Sequence, residues 1–232
     1  MDRIKVIAFD ADDTLWMNEP LFNKVHEQYA ELLSHYMPPE ELADKLYGAE
    51  LRNLKIFGYG AKGFMLSLIE TAIEVTEEKI SAIEIQRIID WGKELVEHPI
   101  HLLEGVEEVL ESVHHDYQLM VLTKGELFHQ ETKIARSGLS RYFQHVEIVS
   151  EKNEATYEEI LNRYRIQKEE FLMIGNSLKS DVLPVVNIGA KAIHVPYHTT
   201  WHHEMVDDKH IENKDYLELG NIRDLLNLLR GA

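Results

Sequence analysis

Apolar residues along the chain fall into two textures. Short runs of strand length occur at 5–9 (KVIAF), 118–123 (QLMVLT), 146–149 (VEIV), 171–175 (FLMIG) and 191–195 (KAIHV). Each is rich in β-branched, aromatic or other apolar residues, and most are bounded by Gly, Asp or Ser, as buried strands are. Between them lie stretches with helical spacing, near 106–115, 126–137, 155–164 and 179–187. This strand–helix alternation predicts an α/β fold, a parallel sheet with helices on both faces.

The stretch 16–97 differs, because it holds no convincing strand. Leu21, Val25, Tyr29, Leu32 and Leu33 repeat at helical spacing, as do Ile85, Ile88 and Ile89. Pro38-Pro39 ends one helix and can open the next, and Gly58-Tyr59-Gly60 breaks the chain again. Thr76, followed by Glu77 and Glu78, reads as another helix N-terminus. Roughly four helices are therefore expected between the first strand and a return hinge at His98-Pro99. The expected division is a core of residues 1–15 and 98–232, with 16–97 inserted.

Composition narrows the function classes. The 232 residues are 44% hydrophobic, enough for a core, and contain no cysteine. Disulfides and thiolate metal sites are thereby excluded. No apolar stretch approaches a bilayer span, and the opening residues, Met1 to Lys5, lack a signal peptide's apolar region. A soluble cytoplasmic protein is expected. The net charge of −17 disfavours nucleic-acid binding. Any phosphate site must then be built from local cations or backbone N–H groups.

The candidate chemistry sits at Phe9-Asp10-Ala11-Asp12-Asp13-Thr14-Leu15, where three carboxylates crowd the end of an apolar strand. In open α/β sheets, ligands bind outside the carboxyl ends of strands. Asp10 and Asp12, as alternate residues, can both face such a crevice. Like charges this close call for a cation, and Mg2+ suits oxygen ligands.

These residues resemble the DxDxT motif of the haloacid dehalogenase (HAD) superfamily. Three later elements follow in that superfamily's order: Thr123 in VLTKG, Lys152 in SEK, and Gly175-Asn176-Ser177 with Asp181 beyond. The resemblance covers nearly the whole chain. It implies a Rossmann-like core with the all-helical insertion acting as a C1-type cap. It also implies a Mg2+-dependent phosphatase acting on a small phosphorylated metabolite through an aspartyl-phosphate. Asp10 would be the nucleophile and Asp12 the acid and base. Thr123, Lys124 and Lys152 would hold phosphate. Asp10, Asp12, Asn176 and Asp181 would form the metal site, Asp12 through its main-chain carbonyl. One position departs from the superfamily's pattern: Asn176 stands where its acidic motif has a carboxylate, so either Asn176 is a neutral ligand or Asp181 takes the larger share.

A phosphomutase shares all four motifs and remains an alternative, as does a non-catalytic regulatory protein on the same scaffold. A dehalogenase is disfavoured by Asp12. The 13 histidines include the pairs His114-His115 and His202-His203, but sequence neighbours rarely face one metal. The segment 196–204 follows the last clear strand and either lines the site or packs on the surface through Trp201. The glycine-rich segment 57–64, with Phe57, Tyr59 and Lys62, is expected to be a loop joining two helices of the insertion and is the candidate for substrate selection, Lys62 being its polar contact.

Overall fold

The computed structural model describes residues 3–199, 201–206 and 215–230. Met1, Asp2 and Thr200, which the expectations above touch, lie outside the described residues. The described residues fall into two compact units, one made of those within 1–19, 100–124 and 130–232, the other of those within 20–99 and 125–129.

The first unit is α/β. Its strands are β1 (Val6–Phe9), β2 (Gln118–Lys124), β3 (His145–Val149), β4 (Phe171–Gly175), β5 (Lys191–His194) and β6 (Leu217–Glu218). They form one sheet in the order β3-β2-β1-β4-β5-β6, with every pair parallel. Parallel strands need crossovers, and helices supply them.

Alternation along β1 explains the layers. Ile7 and Phe9 face a core that includes Val109 and Leu110, whereas Val6 and Ala8 face one that includes Tyr157 and Leu161. Those residues belong to α5 (Val106–Val113) and α7 (Glu154–Tyr164). With both faces covered, β1 and β4 are buried along their whole lengths. Because the order reverses about β1, the ends of β1 and β4 flank the switch point where such sheets bind ligands.

The second unit is helical among its described residues: α2 (Pro39–Phe57), α3 (Ala61–Val75), α4 (Ala82–Glu97) and most of α1 (Glu19–Leu33). Val25, Tyr29 and Leu33 of α1 pack with Leu42, Leu68, Ile88 and Trp91. No helix of the described residues is long and apolar enough to cross a membrane.

Three local expectations change. Thr76 does not start a helix; it ends α3, and its Oγ1 bonds back to the Ala72 carbonyl at 2.8 Å. The start of α4 is instead the Ser81–Glu84 capping box, in which each side chain serves the other's main-chain N–H. The stretch 57–64 is mostly helix, with only 58–60 between α2 and α3, so Lys62 lies in the first turn of α3. Finally, Trp16 belongs to the α/β core rather than to the insertion, since it is 1% exposed and packed with Leu15 and Val106. Chain 15–17 runs beside 101–103, through bonds from Met17 N to His101 O (3.0 Å) and from Leu103 N to Leu15 O (3.0 Å).

Candidate active site

The site is assembled at the carboxyl ends of β1, β2 and β4, all within the α/β unit. Asp10, 7% exposed, directly follows β1. Its Oδ1 lies 2.5 Å from Lys152 Nζ, and its Oδ2 accepts from Thr14 Oγ1 at 3.0 Å. Lys152 also donates to Asp181 Oδ1 at 2.7 Å, while Asp181 Oδ2 accepts from Ser177 N at 3.0 Å. Gly175 makes room for this: a Cβ there would stand 2.2 Å from Asp181 Oδ2.

One buried lysine therefore serves two buried carboxylates, and one negative charge is left over. Burial pushes the Asp10 carboxyl up to about 7; Lys152 opposes the rise, and Asp181 and Asp12 add to it. Burial works against the Lys152 charge, but the two carboxylates outweigh it and raise its pKa.

Asn176 closes the end of β4. Its Oδ1 accepts from Thr14 Oγ1 at 3.1 Å. Turning the amide about would let its nitrogen donate to Asp10 Oδ2 at 3.3 Å and to the Asp12 main-chain carbonyl at 3.3 Å. In the first orientation three oxygens face one another, from a carboxylate, a carbonyl and an amide. Such a cluster is relieved either by the amide flip or by a hard cation. These donors fit Mg2+ in type, and the uncompensated charge fits it in sign. Asp181 is placed otherwise, its oxygens being given to Lys152 and Ser177. Among the described residues no group of three His, Cys, Asp or Glu side chains is placed to hold a metal. His114 bonds its own helix through Nδ1, 2.8 Å from the Glu111 carbonyl.

Asp12 points elsewhere. Its Oδ1 accepts from Trp16 Nε1 at 2.7 Å and from Lys133 Nζ at 2.8 Å; its Oδ2 lies 2.9 Å from Lys133 Nζ and 3.3 Å from Gln130 Nε2. Thr123, 1% exposed, ends the buried run of β2 and accepts from Gln130 Nε2 at 2.8 Å. Asp13 leaves the cluster altogether. At φ 62° it turns the chain, and its carboxylate accepts from the main-chain N–H groups of Asn18 and Glu19 at 2.8 and 2.9 Å. Burial nonetheless pushes its carboxyl up to about 7, against those two bonds.

The ammonium of Lys124 is engaged by Ser180 Oγ at 2.8 Å and by Glu204. Glu204 also accepts from Ser177 Oγ and from Ser180 Oγ, and the His203 carbonyl accepts from Lys179 Nζ at 2.7 Å, so segment 196–204 reaches the loop after β4 through these two residues. Burial would raise the Glu204 carboxyl, but Lys124 and the two hydroxyls hold it down at about 2. Lys62 lies in the helical unit, its Nζ 2.9 Å from Glu126 of the same unit.

Sequence reading missed Gln130, Lys133, His194 and the part played by Glu204. Gln130 and Lys133 left a trace, because they share with Ile134 the buried face of α6 (Leu127–Arg136), where apolar residues belong. His194 joins the Asn176 main-chain carbonyl (3.0 Å) to Glu218 (2.9 Å), and no local pattern marks it.

Comparison with known proteins shows the family. The haloacid dehalogenase-like hydrolase profile matches residues 4–189. A glyceraldehyde 3-phosphate phosphatase of Pyrococcus furiosus is 25% identical over all of this chain and 97% of its own length. The pyrimidine 5'-nucleotidase PynA of Streptococcus pneumoniae is 29% identical over 55% of this chain and 54% of its own. Among solved structures, a haloacid dehalogenase-like family hydrolase from Xanthomonas campestris is 41% identical, with a TM-score of 0.87 over 99% of this chain and 91% of that one. The chain belongs to the haloacid dehalogenase-like hydrolase family.

Proposed function

We propose that the protein is a Mg2+-dependent phosphatase of small phosphorylated metabolites, working through an aspartyl-phosphate on Asp10. The observation that carries this reading is the Asp10 carboxylate, buried at the end of β1 between Lys152 and Thr14, with Asp12 two residues on. The phosphatase names of two relatives support the same class of substrate.

Asp10 attacks phosphorus, and the bond from phosphorus to the leaving oxygen breaks. Asp12 gives its proton to that oxygen, which departs as an alcohol. Asp12, now a carboxylate, takes a proton from water, whose oxygen attacks the phosphorus. The bond to Asp10 breaks and inorganic phosphate leaves. Lys152 holds Asp10 and offsets charge that builds on the phosphoryl group. Gln130 donates to the Thr123 hydroxyl, which itself donates to the Lys124 carbonyl at 3.3 Å and would turn its proton from there to a phosphate oxygen. Asp10 Oδ2, the Asp12 main-chain carbonyl and Asn176 Oδ1 would hold Mg2+, which would supply charge neutralisation. Asp181 acts through Lys152 rather than as a direct ligand.

The phosphate machinery does not distinguish one leaving group from another. We assign that selection to the helical unit as a cap, with Lys62 as its polar contact. The test is a screen of phosphomonoesters for phosphate release, with Mg2+ and with excess chelator. Chelator-sensitive release supports the reading; release unaffected by chelator sinks its metal part. An isomerised sugar phosphate in place of free phosphate would make the protein a mutase.

A further inference from the structure

We propose that Lys133 is the positioning residue of Asp12, and that Gln130, one turn earlier on α6, ties that carboxylate to Thr123. The proposal rests on the phosphatase reading above and deepens it.

The Lys133 ammonium stands 2.8 and 2.9 Å from the two oxygens of Asp12, facing the carboxylate almost symmetrically. Its third contact is Asn18 Oδ1 at 2.8 Å. A lysine in the last turn of a helix usually extends into water, where the helix dipole already favours it. Lys133 is only 8% exposed instead. Burying an ammonium is costly unless it is paired and hydrogen-bonded, so this placement is specific to its partners.

Gln130 shares the face of α6 that carries Lys133. Its Nε2 lies 3.3 Å from Asp12 Oδ2, 2.8 Å from Thr123 Oγ1 and 2.9 Å from the Lys124 carbonyl. A single helix thus sets the proposed proton donor, at the end of β1, against the proposed phosphate ligand, at the end of β2. Proton transfer to a leaving oxygen tolerates little misplacement, so a fixed carboxylate matters most where the leaving oxygen most needs its proton. An alkoxide needs it; p-nitrophenolate departs well without it.

The experiment compares wild type with Lys133→Met and Lys133→Arg on two substrates, the best alkyl phosphomonoester of the screen and p-nitrophenyl phosphate. Lys133→Met should lower kcat on the alkyl ester by about 10- to 100-fold, and on the aryl ester by roughly threefold or less, with KM nearly constant on both. Lys133→Arg keeps the charge and two donors and should recover part of the loss. Added to Asp12→Asn, Lys133→Met should cost nothing further on the alkyl ester, because both act through one group. Should Lys133→Met fail to fold, Lys133→Gln removes the charge while keeping a donor and is read in the same way. Equal losses on both substrates, no loss on either, or losses additive with Asp12→Asn would overturn the positioning role. A wild-type protein inactive on every phosphomonoester would instead overturn the phosphatase reading, and this proposal with it.

Discussion

Lys152 reaches Asp10 across 142 positions of sequence and places its ammonium 2.5 Å from Oδ1. The contact joins the loop after β3 to the end of β1, so it forms only when the parallel sheet is assembled. Asp10→Asn is nearly isosteric, keeps an acceptor for Lys152 and removes the nucleophile. Turnover should fall to background while circular dichroism and cooperative melting persist. Lys152→Met leaves Asp10 and Asp181 buried without their shared cation, and should cost both activity and about 3 kcal/mol or more of stability. Near-wild-type turnover by Asp10→Asn would rule out its role.

Lys62 carries the selection hypothesis. Its side chain is 59% exposed and paired with Glu126, an ion pair worth little by itself. Lys62→Ala should therefore leave stability unchanged. Contact with an anionic substrate group should make it lower kcat/KM on the best substrate by about tenfold, the usual weight of a charged hydrogen bond. On a small generic phosphomonoester the change should be slight. Equal effects on both substrates would mark Lys62 as a surface residue.

The strands and the DxDxT cluster were legible in the sequence because their signals are local: β-branched runs closed by polar residues, and carboxylates two apart at a strand end. The four helices between β1 and α5 were legible from periodicity, whereas Thr76 was misread because a helix-ending threonine followed by acids looks like a cap. Leu217–Glu218 is two exposed residues, too short for any pattern to register. Glu204 and His194 owe their places to partners in other loops, and Asp13 to the turn it makes. Such polar contacts are set by the finished fold rather than by neighbours in sequence.

Metal binding should be readable in the pH dependence of stability. Asp10 and Asp13 both rise from 3.8 to about 7 in the folded chain. A raised carboxyl pKa means that the folded state binds more protons than the unfolded one across that window. Stability should then fall as pH climbs from about 4 to about 7. Mg2+ at Asp10 competes with that proton. In chelator the melting temperature should drop between pH 5 and pH 8, and added Mg2+ should raise it more at pH 8 than at pH 5. Asn176→Asp brings another carboxylate beside Asp10, so it should melt lower in chelator at pH 8 and gain more from Mg2+. A Mg2+ effect equal at the two pH values would count against the Asp10 oxygen as a ligand.

Glu204 shows the opposite sign. Its carboxyl is held at about 2 against an ordinary 4.5, and its side chain and that of Lys124 are each 12% exposed. A depressed carboxyl pKa gives stability that is fully present above about 4.5 and is lost as pH falls toward 2. The shift corresponds to at most about 3 kcal/mol. Glu204→Gln keeps the shape and removes the charge. At pH 7 it should unfold more easily than wild type in denaturant, because Lys124 loses its closest anion. The gap should narrow as pH drops to 3, where wild-type Glu204 has lost much of its own advantage. The variant should also show whether the contact serves the site, since Ser177 and Ser180 lie in the loop that leads directly into Asp181. Holding that loop through Glu204 predicts lower kcat at pH 7 for Glu204→Gln, with Mg2+ stabilisation retained. A stability gap that stays constant from pH 7 to pH 3 would mean that packing, rather than the Lys124–Glu204 ion pair, anchors this segment.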